Sequence, residues 1–197
     1  ELKMMSYSDS LTKLKNTRAY SDALEELKRS NEEYGIVFID VNNFKRINDT
    51  YGHRTGDEIL HIIAERVGNS IRRDDVIYRI GGDEFAVIIN GTHDEQFYKE
   101  VIQRMKESMI RKVSVLGNSL HVSISCGFAR FPHDGTDPQS VIQVADTEMY
   151  RDKAAQKTGD AKSYYWFNHD GLTGLLNRDG FYKAVALYLS EHEDSNH

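Results

Sequence analysis

Asp83 and Glu84 are adjacent carboxylates in the run Arg79-Ile80-Gly81-Gly82-Asp83-Glu84-Phe85. Neighbouring anions repel, so such a pair asks for a cation, and hard oxygen donors suit Mg2+ or Mn2+. Gly81 and Gly82 keep side chains out of the way and let a large ligand approach the backbone. A third acid, Asp40, ends the apolar run Tyr34-Gly35-Ile36-Val37-Phe38-Ile39. A buried strand does not normally end in an acid that lacks a partner, and Asp40 beside Asp83 would allow one shared ion. The plainer alternatives are a solvated turn at residues 81–84 and a strand-terminating Asp at 40.

The elements that must position these groups can be read from pattern. Val76-Ile77-Tyr78 and Phe85-Ala86-Val87-Ile88-Ile89 flank the Gly-Gly dipeptide, which reads as a β-hairpin whose glycines supply positive φ. Tyr34 to Ile39 reads as a strand buried on both faces, able to pair beside the hairpin. Thr17 to Ser30 is amphipathic, with Tyr20, Ala23, Leu24 and Leu27 on one helical face. Residues 42–57 are polar, Asn-rich and broken by two glycines, so they read as a short helix and a loop, with Asp57 serving in the simplest account as a helix N-cap. A helix then runs from Glu58 to Ile71. Thr92-His93-Asp94-Glu95 has the form of a capping box opening a helix through Phe97, Val101, Met105 and Met109. Val113 to Leu116 and Leu120 to Ala129 suggest a second hairpin across Gly117-Asn118. Asp137-Pro138 starts a helix that reaches about Lys157 and carries Lys153 and Lys157 four residues apart, on one face. Lys162 to Phe167 reads as a last strand.

The chain has 197 residues and a formal net charge of -6, enough for one ordinary domain with something left over. The acidic balance argues against a nucleic-acid partner, which calls for a basic face; it leaves room for a nucleotide whose charge is met locally. One cysteine, Cys126, rules out an intrachain disulfide and fits a reducing cytoplasm. No apolar stretch approaches the ~20 residues that span a bilayer. A first residue other than methionine suggests a piece of a longer protein, with a sensor or membrane anchor upstream.

Gly81-Gly82-Asp83-Glu84-Phe85 resembles the signature of the GGDEF family of diguanylate cyclases, which condense two GTP into cyclic di-GMP. The resemblance runs from about Asp9 to Phe167. Asp9-Ser10-Leu11-Thr12-Lys13-Leu14-Lys15-Asn16-Thr17-Arg18 is similar to the family's entry motif, with Lys13 in place of its glycine. Asp40-Val41-Asn42-Asn43-Phe44-Lys45-Arg46-Ile47-Asn48-Asp49-Thr50-Tyr51-Gly52-His53-Arg54-Thr55-Gly56-Asp57 follows the family pattern, with Asn42 where an Asp is frequent. The resemblance implies an α+β fold with a mainly antiparallel central sheet flanked by helices, like the palm of nucleotidyl cyclases. It implies metal ligation by Asp40, the Val41 carbonyl, Asp83 and Glu84, with Asp83, Glu84 and Lys45 in catalytic roles. Asn48 and Asp57 would read the guanine edge, with Phe44, His53, Gly81 and Gly82 lining the nucleotide. Lys153 and Lys157 would meet the terminal phosphates, Lys157 standing in for an arginine and losing its bidentate fork. Arg72 and Asp75 match an inhibitory site for the product. A homodimer follows, since one domain holds one GTP. The implied limits are the end of a linker helix over 1–8, a GGDEF domain over 9–167, and over 168–197 either the start of a second such domain or a tail. Asp170 to Arg178 repeats the entry motif. The alternative is a weak or inactive domain that binds GTP or cyclic di-GMP as a regulatory module.

Overall fold

The computed structural model describes residues 7–159, with side chains as far as Gln156. The chain divides into two compact units, Glu1–Lys153 and Ala154–His197; of the second, residues 154–159 are described and are helical. The elements are α1 (Thr17–Ser30), β1 (Tyr34–Val41), α2 (Phe44–Tyr51), α3 (His53–Gly68), β2 (Val76–Arg79), β3 (Glu84–Asn90), α4 (Glu95–Ser108), β4 (Val113–Val115), β5 (Asn118–Leu120), β6 (Ile124–Phe131) and α5 (Pro138–Gly159). Four strands form one sheet in the order β2-β3-β1-β6, each pairing antiparallel. This is the α+β arrangement expected. No helix among the described residues is long and apolar enough to cross a membrane.

β1 lies between β3 and β6 and is buried along its whole length. Strand side chains alternate between faces, and the core divides accordingly. Val37, Ile39 and Val41 pack with residues of α3 and α4, whereas Tyr34, Ile36 and Phe38 pack with residues of α1 and α5. Asp40 falls by parity on the α1/α5 face, as does Glu84, two residues before the Ala86 of that cluster. Each fully buried Ile or Val of these layers stabilises the fold by roughly 1.5–3 kcal/mol, so the two acids ride on a stiff support.

The structure corrects four local expectations. α3 begins at His53, not Glu58, because Gly52 at φ 86° ends α2 and lets the next helix start at once. Asp57 therefore lies inside α3 rather than capping it. α4 is capped by Asp94, whose carboxylate accepts from the Phe97 N–H at 2.8 Å, so Thr92 opens no capping box. The second hairpin turns at Leu116-Gly117, both at positive φ as a two-residue primed turn requires. It forms a separate two-stranded sheet, and residues 121–123 separate β5 from β6. Finally, Gly81 and Gly82 have no positive φ. Residues 80–83 make a four-residue loop, closed by the Ile80 and Gly81 N–H groups donating to the Glu84 carbonyl at 3.0 and 3.3 Å. The expected strand over 162–167, the repeated entry motif at 170–178 and the Lys157 side chain lie outside the described residues.

Candidate active site

The hairpin loop is held from outside. Arg79 donates from Nη1 to both oxygens of Asp9, at 3.0 and 3.2 Å, and from Nη2 to the Gly82 carbonyl at 2.8 Å. Asp9 also accepts from the Thr12 N–H and hydroxyl, each at 2.7 Å. Lys15 runs beside Tyr78 as a short parallel bridge on the open edge of β2. The entry segment thus clamps the arginine that grips the turn, a role the sequence reading missed; its one signal was a basic residue immediately before the turn. Burial works to raise the Asp9 carboxyl, but the Thr12 bonds and the Arg79 guanidinium outweigh it and hold the group below its ordinary value. Such a group stabilises the fold above its unfolded value of 3.8 and loses that contribution as pH falls through its lower folded value. Asp9→Asn is expected to cost about 1–3 kcal/mol in urea unfolding near neutrality, because the ion pair is largely buried. The difference from the parent should shrink in acid.

Gly81 gives the loop room rather than φ. A Cβ there would lie 2.5 Å from Glu84 Oε2, whereas one at Gly82 would meet open space. Asp40 and Glu84 are direct register partners across β1 and β3, which sets their Cβ atoms about 5 Å apart on one face. Asp83 is tied in through its carbonyl, which accepts from the Val41 N–H at 3.1 Å. A strand residue directs its N–H and C=O to the same side, so the Val41 carbonyl faces the hairpin too. Beyond it, Asn42 pins β1 to β6: its Nδ2 donates to Ser123 Oγ at 3.1 Å and its Oδ1 accepts from Ser125 Oγ at 2.7 Å.

Burial, and then the negative charge of Asp40, raise the carboxyls of Asp83 and Glu84 above their ordinary values; Lys153 works the other way on both. Lys153 Nζ donates to Asp40 Oδ1 at 2.6 Å. Among the described residues no three His, Cys, Asp or Glu side chains are grouped closely enough to hold an ion. By residue type, three carboxylates and a backbone carbonyl are the hard oxygen donors that a divalent cation takes.

A second group of expected residues lies on α2 and α3. Asn48 sits against Gly56, where an added Cβ would overlap Asn48 Oδ1 and lie 3.2 Å from the Phe44 ring. Asn48 Oδ1 is buried with no hydrogen-bond partner. An unpaired buried acceptor costs roughly 1–3 kcal/mol, so the site stores an unmet demand for a donor. Asp57 is exposed and borders a cavity of about 200 Å³ with Leu11, Arg54, Glu58, His61 and Leu116. Asn48 does not line that cavity. Lys45 and His53 are exposed. Asn48→Ala is expected to leave urea stability nearly unchanged, since it deletes an unsatisfied atom along with some packing.

Arg72 and Asp75 close a tight loop before β2. The Asp75 carboxylate accepts from the Arg72 N–H at 2.9 Å, and the Asp75 N–H donates to the Arg72 carbonyl at 3.1 Å. The Arg72 guanidinium lies 4.4 Å from the centre of the Phe97 ring, on which His93 also stacks at 4.0 Å.

Comparison with known proteins bears on this arrangement. A family model described as diguanylate cyclase, GGDEF domain, matches residues 6–159. A cyclic di-GMP phosphodiesterase, NbdA of Pseudomonas aeruginosa, is 32% identical over 157 residues, 78% of this chain and 20% of that protein. A diguanylate cyclase, DosC of Escherichia coli, is 30% identical over 165 residues, 80% of this chain and 35% of that protein. The chain therefore spans a fifth to about a third of these relatives' length. Among solved structures, a truncated form of YfiN (TpbB) from Pseudomonas aeruginosa comprising only the GGDEF domain superposes with a TM-score of 0.69. It shares 32% identity and covers 75% of this chain and 89% of that one.

Proposed function

The chain belongs to the GGDEF family, and from that premise we propose that it is a diguanylate cyclase, joining two GTP into cyclic di-GMP with release of pyrophosphate. The observation that carries the reading is the direct opposition of Asp40 and Glu84, with Asp83 beside them and both hairpin carboxyls raised by burial and then by the charge of Asp40. Mg2+ or Mn2+ held by Asp40, the Val41 carbonyl, Asp83 and Glu84 would neutralise the triphosphate and polarise its α-phosphorus. Asp83 orients the attacking 3′-hydroxyl or accepts its proton. The new O–P bond forms in line as the bond to pyrophosphate breaks. Lys45 meets phosphate, and Lys153 and Lys157 meet the terminal phosphates as compact cations.

Asn48 and Asp57 accept from the N1–H and exocyclic amine of guanine, a donor pair that adenine lacks. Phe44, His53, Gly81 and Gly82 shape the rest of the nucleotide site. Each domain holds one GTP, so two copies must face each other, and a GTP substrate fits a cytoplasmic setting. Arg72 and Asp75 form a product site, the guanidinium clamping phosphate and the carboxylate reading guanine. Arg72→Ala is expected to relieve a progressive slowing as cyclic di-GMP accumulates, with the initial rate unchanged, in a continuous pyrophosphate assay.

The central test is incubation of the protein with GTP and Mg2+, at concentrations that allow dimers, followed by detection of cyclic di-GMP and pyrophosphate. One observation favours a second reading, a regulatory module that binds without turnover: Lys153 engages Asp40 itself. Tight nucleotide binding with no product, in the parent and in Arg72→Ala alike, would decide for the module.

A further inference from the structure

Asp152 marks the place where α5 leaves its apolar stripe. Val141, Ala145 and Met149 recur every four residues and are buried. The next positions on that side, three and four residues further, are Asp152 and Lys153. Lys153 turns to Asp40. Asp152 spans a different gap. Its carboxylate accepts from Lys106 Nζ of α4 at 2.7 Å and from the Cys126 N–H of β6 at 2.8 Å.

The topology gives these bonds their meaning. β6 is an edge strand of the sheet, and the open side of an edge strand presents N–H groups that no other strand can satisfy. Met105 of α4 packs with one face of the sheet, and Met149 of α5 packs with the other. Asp152 therefore reaches round the open edge and ties two helices and a strand together. Both side chains are mostly buried, Asp152 23% and Lys106 31% exposed, so the pair fixes geometry better than a solvated one does. Cys126 pairs with Ile39 in the β1/β6 register, and Asp40 is the next residue of β1. Consecutive residues of α5 are thus fastened to neighbouring points at the end of the sheet.

We propose that Asp152 is a positioning residue: bound to Lys106 and the Cys126 N–H, it fixes the rotation and height of α5 so that Lys153 is delivered to Asp40 and the triphosphate site. The triphosphate part rests on the cyclase reading. The tolerance is small. A one-residue slip of α5 moves Lys153 about 1.5 Å along the helix axis and about 100° round it, off the side that meets Asp40.

Pulse acetylation of lysines, read by mass spectrometry, reports whether the Lys153 ammonium remains engaged. In Asp152→Ala and in Lys106→Met, Lys153 labelling is expected to rise roughly three- to fivefold, the factor appropriate to losing a partly exposed ion pair. Lys28 of α1 should be unchanged. Asp152→Asn keeps an acceptor for Cys126 and loses the charge for Lys106, so it should fall between; it and Lys106→Met carry the test if Asp152→Ala does not fold. A non-hydrolysable GTP analogue should bind Asp152→Ala as weakly as Lys153→Met, the double variant no more weakly than either, and GMP equally in all. Unchanged Lys153 labelling in folded Asp152 variants overturns the positioning role. Raised labelling in a protein whose parent form binds no GTP analogue leaves that role standing and removes the cyclase reading instead.

Discussion

On the cyclase reading, Asp83→Asn and Glu84→Gln are expected to lower turnover by about 10²–10³-fold or more, the scale of deleting one preorganised electrostatic contact, and to melt above the parent protein at neutral pH. The two effects share a cause. Both carboxyls are raised by burial and then by neighbouring negative charge. An acid whose folded value is raised holds its proton more strongly in the native state than in the unfolded chain. Stability is then greatest below the unfolded values of 3.8 and 4.5 and falls as pH rises through the higher folded values. At neutral pH the whole cost is present, and an amide escapes it; Glu84 is exposed, so solvent screens part of its cost and Asp83→Asn should gain more. Melting curves for parent and variants should therefore lie apart near about pH 7 and converge near about pH 4. Asp9 has the opposite sign, its carboxyl being lowered, so Asp9→Asn should stay below the parent over that descent and converge on it only as pH falls below 3.8. A Glu84→Gln protein that melts lower than its parent at neutrality would show that the acids are already balanced, and the demand for a cation would lose its basis.

The acids that carry this argument were legible in the sequence for a simple reason. Asp40 ends an uninterrupted apolar run and Glu84 opens one, so strand pairing alone brings them together, in the register Asp40–Glu84. What could not be read depended on contacts between distant residues or on local dihedral angles. Asp9 and Arg79 are 70 residues apart and meet only because the entry segment adds to the edge of β2. Gly52, Gly81 and Gly82 look alike in sequence, yet only Gly52 adopts positive φ, while Gly81 yields space to a glutamate. The start of α3 was misplaced by five residues because the chain turns at one glycine with no loop. The family resemblance implied that Lys153 meets phosphate, and its partner in the structure is Asp40, 113 residues away. Thr92 and Asp94 both had capping chemistry, and only the backbone distinguishes which one the Phe97 N–H meets.

Gly127→Ala is expected to do the greatest damage for one added methyl group, and to do it two residues from Asp40's place in the register. Gly127 lies on β6 by parity on the α5 face, beside the Ala129 that packs there. A Cβ at this position would overlap the Met149 nitrogen and the Ala145 oxygen and come within 2.6 Å of the Glu148 carbonyl carbon. All three are backbone atoms of α5, so no rotamer change relieves the clash and the helix itself must move. Overpacking of this kind costs about 1–3 kcal/mol where side chains yield, and more where backbone must. We expect about 3 kcal/mol or more by urea unfolding. Outward movement of α5 also draws Val141, Ala145 and Met149 from their buried seats and carries Lys153 away from Asp40. The folded fraction of Gly127→Ala should therefore show raised Lys153 acetylation together with weakened GTP binding, whereas a simple loss of stability would leave both unchanged in the molecules that remain folded. Parent-like stability in Gly127→Ala would mean that α5 does not rest on β6 at this glycine, and the placement of Lys153 would have to be found again.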